Sequence, residues 1–146
     1  MKKIPIGVDD FKKLIENNAL YIDKTKFIIE LLDDAAEVKL FTRPRRFGKT
    51  LNMSTLKYFF DINNAVENRK LFNGLDIEKS EYISEHGKYP VIFISMKGIK
   101  ATTWLASLFA IKGLIAELYN EFEFIRDILN KAELEKFDKI WLKKDD

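Results

Sequence analysis

Between residues 42 and 52 the chain reads Thr-Arg-Pro-Arg-Arg-Phe-Gly-Lys-Thr-Leu-Asn. Gly48, Lys49 and Thr50 have the types and order of the last three places in G-x-x-x-x-G-K-[ST], a pattern that cradles phosphate between a strand and a helix. The chemistry follows from position. Backbone N–H groups from about Arg45 to Thr50 would wrap a phosphate at a helix N-terminus. Gly48 lets the backbone pass close to it. Lys49 would bridge β- and γ-phosphates, and the Thr50 hydroxyl would be a magnesium ligand. Arg43 stands where the pattern has its first glycine, the residue that permits a sharp exit from the strand. Pro44 follows and pushes Arg43 towards an extended conformation, so proline would shape the loop where glycine normally does. The same residues allow two other readings. Arg43, Arg45, Arg46 and Lys49 place four cations within seven residues, and Phe47 offers a ring for a base. That describes a patch for nucleic acid or another polyanion, with Lys39, Lys57 or Lys97 needed to widen it. The third reading is a solvated basic turn before a core helix.

The elements that must hold this stretch can be read from periodicity. Residues 8–17 place Phe11, Leu14 and Ile15 at helical spacing, behind Asp9 and Asp10. Asp23 can cap a second helix with Phe27, Ile28, Leu31 and Leu32 on one face. Residues 37–41, Glu-Val-Lys-Leu-Phe, read as a strand entering the quoted loop. Met53, Leu56, Phe59 and Phe60 then suit a helix over 49–62, and shorter helical pieces fit 65–72 and 79–85. Residues 91–96 are nearly all apolar, as in a strand covered on both faces. Trp104, Leu108, Ile111, Ile115 and Leu118 mark a long helix, and 121–143 read as helical as well. The order is that of an α/β fold with a helix-rich C-terminal part. Two strands make a poor sheet, so either strands have escaped notice or the chain is part of a larger domain.

Composition narrows the function classes. The 146 residues suffice for one domain with a real core, and no repeat or linker divides them. Net charge is +2, so any case for nucleic acid rests on the local patch. The absence of cysteine removes disulfides, thiol catalysis and cysteine-ligated zinc, and it suits a cytoplasmic protein. No apolar run approaches the ~20 residues of a membrane span. The opening residues have no signal-peptide pattern. The one histidine, His86, makes a His-rich metal site or a Ser/His/Asp triad improbable, and beside Gly87 it reads as an exposed loop residue.

Three separated segments together resemble the bacterial AAA-ATPase-like family. Residues 42–61, TRPRRFGKTLNMSTLKYFFD, resemble its phosphate loop, which uses PRRFGK[ST] in place of the full Walker A pattern. Residues 4–25, with a Pro-x-Gly and a Tyr-x-Asp-Lys-Thr, resemble its amino-terminal segment. The stretch YPVIFISM, followed by a helix with Trp104, resembles its next core strand. The resemblance spans about residues 3–110 and makes Arg43 the family's own residue. It implies a P-loop NTPase fold, a parallel sheet flanked by helices, with ATP as ligand and Mg2+ as companion. Carried over residue by residue, the nucleotide would be held by Arg43, Pro44, Arg45, Arg46, Phe47, Gly48, Lys49 and Thr50, with Thr50 on the metal. Full-length relatives are longer and typically carry a domain similar to PD-(D/E)XK nucleases. ATPases of this class often work as assemblies, so a homo-oligomer is implied.

One departure is clear. A Walker B strand ends in Asp-Asp or Asp-Glu, but the strand expected at 91–95 runs into Met96 and Lys97. The Phe122–Asp127 stretch alternates without an acidic pair at its end. The expectation is therefore a truncated domain that binds ATP and hydrolyses little by itself. Asp23 and Asp61 are the candidates considered for orienting an attacking water, and both read as helix-end residues. Tyr21 and Asp23 could approach a nucleotide but fit helix packing better. Ile6 and Gly7 are a weaker choice for contacting adenine. Trp104 reads as core or interface, and Glu117, Glu121 and Glu123 as a solvated helical face.

Overall fold

The computed structural model describes residues 2–42, 44 and 47–142. The chain forms two compact units, one through Val91 and one from Ile92 onward. In the first, α1 (Phe11–Glu16), α2 (Lys26–Asp33), α3 (Lys49–Phe60) and α4 (Ala65–Arg69) are followed by 3-10 turns at Lys70–Phe72, Asp76–Lys79 and Glu81–Glu85. Helical periodicity dictates which side chains meet. Phe11 of α1, Ile28 of α2 and Phe59 of α3 are each fully buried, and so are Phe72 and Ile77 from the turns. The Phe72 ring lies 5.1 Å from that of Phe11 and 5.3 Å from that of Phe59, so one aromatic cluster joins three elements.

Polar contacts fix the helices at defined points on this core. Asp10 caps α1 by accepting from the Lys13 amide, and its other oxygen accepts from the Tyr58 hydroxyl at 2.9 Å. Burial and this carboxylate hold the Tyr58 phenol well above its usual range. The Phe11 amide donates to Ser54 Oγ at 2.9 Å, and that hydroxyl donates to the Leu51 carbonyl. Asp23 caps no helix in the simple sense, because the N-cap of α2 is Thr25. Its carboxylate instead accepts from the Thr25 amide and hydroxyl at 2.8 Å each, and from the Asp76 amide at 2.7 Å. The buried Thr25 hydroxyl in turn accepts from the Ile77 amide at 3.1 Å. The start of α2 is thereby tied to a turn some fifty residues away in sequence.

The parallel sheet expected from the sequence is not present. Among the described residues there is no strand, and the backbone pairs only as two isolated parallel bridges, Lys3 with Ala19 and Asp61 with Tyr89. Residues 37–41 run without helix or strand, and Val38 and Leu40 are more than four-fifths exposed. Residues 91–95 are likewise irregular, with Ile92 and Ile94 exposed. An apolar, β-branched run favours extended backbone, but a strand exists only where a neighbour completes its hydrogen-bond ladder. Neither run finds that neighbour among the described residues.

His86 also departs from its expected place. Its ring packs edge-on against Phe59 at 5.4 Å and Phe72 at 5.5 Å, and its Nε2 is buried without a hydrogen-bond partner among the described residues. Burial, helped by nearby Arg69, holds the imidazole below its ordinary range. The next residue explains the approach. Gly87 sits at φ +69°, donates to the Phe59 carbonyl at 2.9 Å, and lies so close to α4 that a Cβ would stand 2.5 Å from the Ala65 Cβ.

In the second unit, α5 (Trp104–Glu121) is followed by a 3-10 turn at Glu123–Ile128 and by α6 (Lys131–Trp141). The helix expected over 121–143 is thus broken before Lys131. Asn130 starts α6 with a capping box, accepting from the Glu133 amide while Glu133 returns a bond to the Asn130 amide. Arg126 pairs with Asp138 at 3.0 Å and stacks over the Trp141 ring, and the Trp141 indole donates to Asn120 of α5. Trp104, read as core or interface, is largely exposed. No helix among the described residues is long and apolar enough to cross a membrane.

Candidate functional site

The site is built at the start of α3. Gly48 is the N-cap and adopts the left-handed conformation, φ 72° and ψ 15°, which glycine enters without steric cost. As a glycine, the N-cap residue has no side chain with which to cap the helix. The first N–H groups of a helix have no intrahelical acceptor, and a helix N-terminus favours negative charge. Lys49 and Thr50 open the first turn and are exposed, and Phe47 just before them is 61% exposed. A Cβ placed on Gly48 would meet nothing within 4 Å, so the space beside it is open.

The far half of α3 supplies rigidity. Ser54, Thr55 and Phe59 are buried, and Tyr58 and Ser54 carry the bonds to α1. Thr55 donates to the Leu51 carbonyl. The helix presents its first turn to solvent while its other end is set in the core. Pro44, Phe47, Gly48, Lys49 and Thr50 fall within the described residues. Arg43, Arg45 and Arg46 lie outside them.

Beside this turn is a cavity of about 200 Å³ lined by Phe27, Lys39, Phe41, Lys49, Asn52, Met53 and Leu56. Four of these, at positions 49, 52, 53 and 56, share one face of α3 by the i, i+3, i+4, i+7 rule. Lys39 is held by Asp34, donating to its backbone carbonyl at 2.7 Å and lying 2.8 Å from its carboxylate. Those bonds, with one from the Ala36 amide, hold the Asp34 carboxyl below the usual carboxylate range. Reading the sequence missed Asn52, Phe27 and Phe41 as site residues. The spacing on α3 was the available signal for Asn52, whereas nothing local announces Phe27 or Phe41.

Asp23 and Asp61 are engaged elsewhere. Asp23 is consumed by Thr25 and Asp76, and Asp61 ends α3 and accepts from the Asn63 amide. Glu117, Glu121 and Glu123 are exposed. Among the described residues no group of three or more His, Asp or Glu side chains is placed to hold a metal. The arrangement fits a phosphate chain at the helix start. For a metal it offers the Thr50 hydroxyl, so a cation would arrive with the phosphates it bridges.

Residues 5–144 match the family described as "Predicted AAA-ATPase", and the chain belongs to that family. It is also similar to the "Uncharacterized protein in vnfD 5'region" of Azotobacter chroococcum mcd 1, with 37% identity over 99 residues. The aligned part is 66% of this chain and 17% of that protein, so the chain spans a small part of that relative's length. No solved structure matches.

Proposed function

We propose that this chain is a Mg-ATP-binding part of an AAA-ATPase-like protein, and that its phosphate loop is Arg43 to Thr50. The observation that carries the reading is the left-handed Gly48 at the start of α3, followed at once by exposed Lys49 and Thr50. Family membership supplies the nucleotide class. In this reading the amides of the first turn hold phosphate oxygens, Lys49 adds positive charge, and Thr50 offers one oxygen to magnesium. The magnesium, when bound, would neutralise charge on the β- and γ-phosphates. Binding is the activity proposed for this chain, and hydrolysis is proposed for the whole protein.

The test is thermal unfolding with and without Mg-ATP. At ligand 100-fold above Kd, mass action stabilises the folded form by about 2.7 kcal/mol. Lys49→Ala should remove that stabilisation. No shift in the unsubstituted chain at millimolar Mg-ATP would sink the proposal. A shift that vanishes with modest salt and needs neither magnesium nor a triphosphate would favour a polyanion patch instead.

A further inference from the structure

Residues 86–89 are tied to the end of α3 by three backbone bonds and one ring. The Gly87 amide donates to the Phe59 carbonyl and the Tyr89 amide to the Phe60 carbonyl, both at 2.9 Å, and the Ile62 amide donates back to the Tyr89 carbonyl at 2.8 Å. The ring is that of His86. It forms a triangle with the fully buried Phe59 and Phe72, with centroids 5.3 to 5.5 Å apart. This slot suits a neutral imidazole. Its Nε2 is buried without a hydrogen-bond partner among the described residues. Protonation would turn both ring nitrogens into donors and set a charge beside two phenyl rings, with no acceptor there for the buried N–H. The surrounding charges offer no rescue. Arg69 of α4, which donates to the Ile83 carbonyl, is a like charge that disfavours the imidazolium. Asp61 at the end of α3 accepts from the Asn63 amide, and Lys57 of that helix stands two positions from Phe59, off its face. Glu85 is taken by Lys88 and Tyr89. Glu67, Lys70 and Glu81 on the neighbouring elements are exposed.

We propose that residues 86–89 are a pH-sensitive strap over the end of α3, held closed by the neutral His86 ring and released locally when that ring takes up a proton. Release costs the three backbone bonds and the ring contacts, and water can then satisfy the freed groups. It leaves in place the bonds of Asp23 and Thr25 to the Asp76 and Ile77 amides, which join other elements. The opening is therefore a local one, well short of unfolding the unit.

The experiment is native-state hydrogen exchange on the 146-residue chain at pH 7.5 and 5.5, over a range of sub-denaturing urea and corrected for the intrinsic rate at each pH. The Gly87, Tyr89 and Ile62 amides should exchange through an opening that urea scarcely affects, because it exposes little surface. The Asp76 and Ile77 amides should exchange through a urea-sensitive one. The local opening should be favoured several-fold at pH 5.5 over pH 7.5, up to the about tenfold that an open-state imidazole titrating near its ordinary value of about 6.5 permits. His86→Phe keeps a ring against Phe59 and Phe72 and should remove that response. The chain's one histidine gives one set of ring resonances, so its titration can also be followed by NMR in the unsubstituted chain, whether or not the variant folds. Its midpoint should lie below that of a free imidazole. The proposal is overturned by strap amides that exchange only through the urea-sensitive opening, or by a local opening equally frequent at both pH values. A pH response that survives in His86→Phe, or an imidazole that titrates at its ordinary value or above, overturns it as well.

Discussion

The stretch from Tyr21 to Thr25 and the stretch from Phe41 to Thr50 are built from similar materials and end in opposite conditions. Each mixes an aromatic ring, charged residues and threonine hydroxyl chemistry. In the first, the polar atoms are absorbed by the fold. Asp23 accepts three bonds, Thr25 is fully buried and holds the Ile77 amide, and the Tyr21 ring packs edge-on against Phe11 at 5.4 Å. In the second, Phe47, Lys49 and Thr50 are exposed, and the N-cap of the helix they begin is a glycine, which has no side chain to cap it with. The lesson is that a residue's type does not assign its role. A carboxylate whose acceptor positions are already filled is a structural part, whereas the first amides of a helix have no intrahelical acceptor and can be met by a ligand. Two glycines repeat the contrast at almost the same backbone angle. Gly87 is required because α4 leaves no room for a Cβ, and Gly48 has room to spare.

The largest effect should come from testing those glycines. Gly87→Ala meets both the left-handed conformation, about 1–2 kcal/mol, and a 2.5 Å contact with Ala65 that costs about 1–3 kcal/mol of overpacking. Gly48→Ala faces the conformational cost alone. Denaturant unfolding of the two variants should therefore separate them clearly, and equal losses would erase the distinction. Next in size is Asp23→Ala. It leaves the Asp76 amide without its acceptor and should destabilise by about 1–3 kcal/mol. Lys49→Ala, on the open side of the comparison, should stay within about 0.5 kcal/mol in the absence of nucleotide. An Asp23 variant as stable as the parent would mean that this knot does not hold the fold.

The smallest effect is one of pH. His86 is the chain's one histidine, and burial with Arg69 nearby holds it below its ordinary range. The unfolded chain thus binds this proton more readily than the folded one. The corresponding stability is complete above the unfolded pKa of about 6.5 and declines as the pH falls below it. Melting temperature should therefore drop between about pH 7.5 and 5.5, and His86→Phe should flatten that decline while keeping the ring contacts. Asp34 and Glu85 do not blur the window, because their carboxyls sit below their usual range and titrate in more acid solution. An unchanged slope in His86→Phe would show that the imidazole is wetter than its buried Nε2 implies.

What the sequence made legible was local. The α1 cap at Asp10, the apolar faces of α2 and α3, and the start of α3 at Gly48-Lys49-Thr50 all follow from residues within a few positions of one another. The failures share a cause as well. The two apolar runs read as strands have the local preference for extension, but a sheet needs partners that local pattern cannot supply. His86 read as exposed because Gly87 and Lys88 follow it, while its packing partners Phe59 and Phe72 lie 27 and 14 residues back. Asp23 read as a helix cap because its third donor, the Asp76 amide, is 53 residues away. The loop itself was legible as a pattern, and Phe27 and Phe41 beside it were not, since neither lies on the helix that carries the motif. Arg43, Arg45 and Arg46, which the sequence places in the same site, fall outside the described residues.

The span of the Asp23–Thr25 knot has a consequence for the order of events during synthesis. The bonds that close the first unit join residues 43 to 53 positions apart, whereas those joining α5, its following turn and α6 span 12 to 21. Closing a loop costs more entropy as it lengthens, and folding slows as contacts become more distant along the chain. On a ribosome the Asp23 and Thr25 side chains emerge long before Asp76 and Ile77. Until then α2 has no anchor at its start, and Phe72, the ring that joins α1 to α3, is made only a few residues earlier. The segment carrying Lys49 and Thr50 is therefore translated before the core that will steady it. A nascent chain paused short of residue 72 would expose Phe11, Ile28 and Phe59 together, a state prone to aggregation.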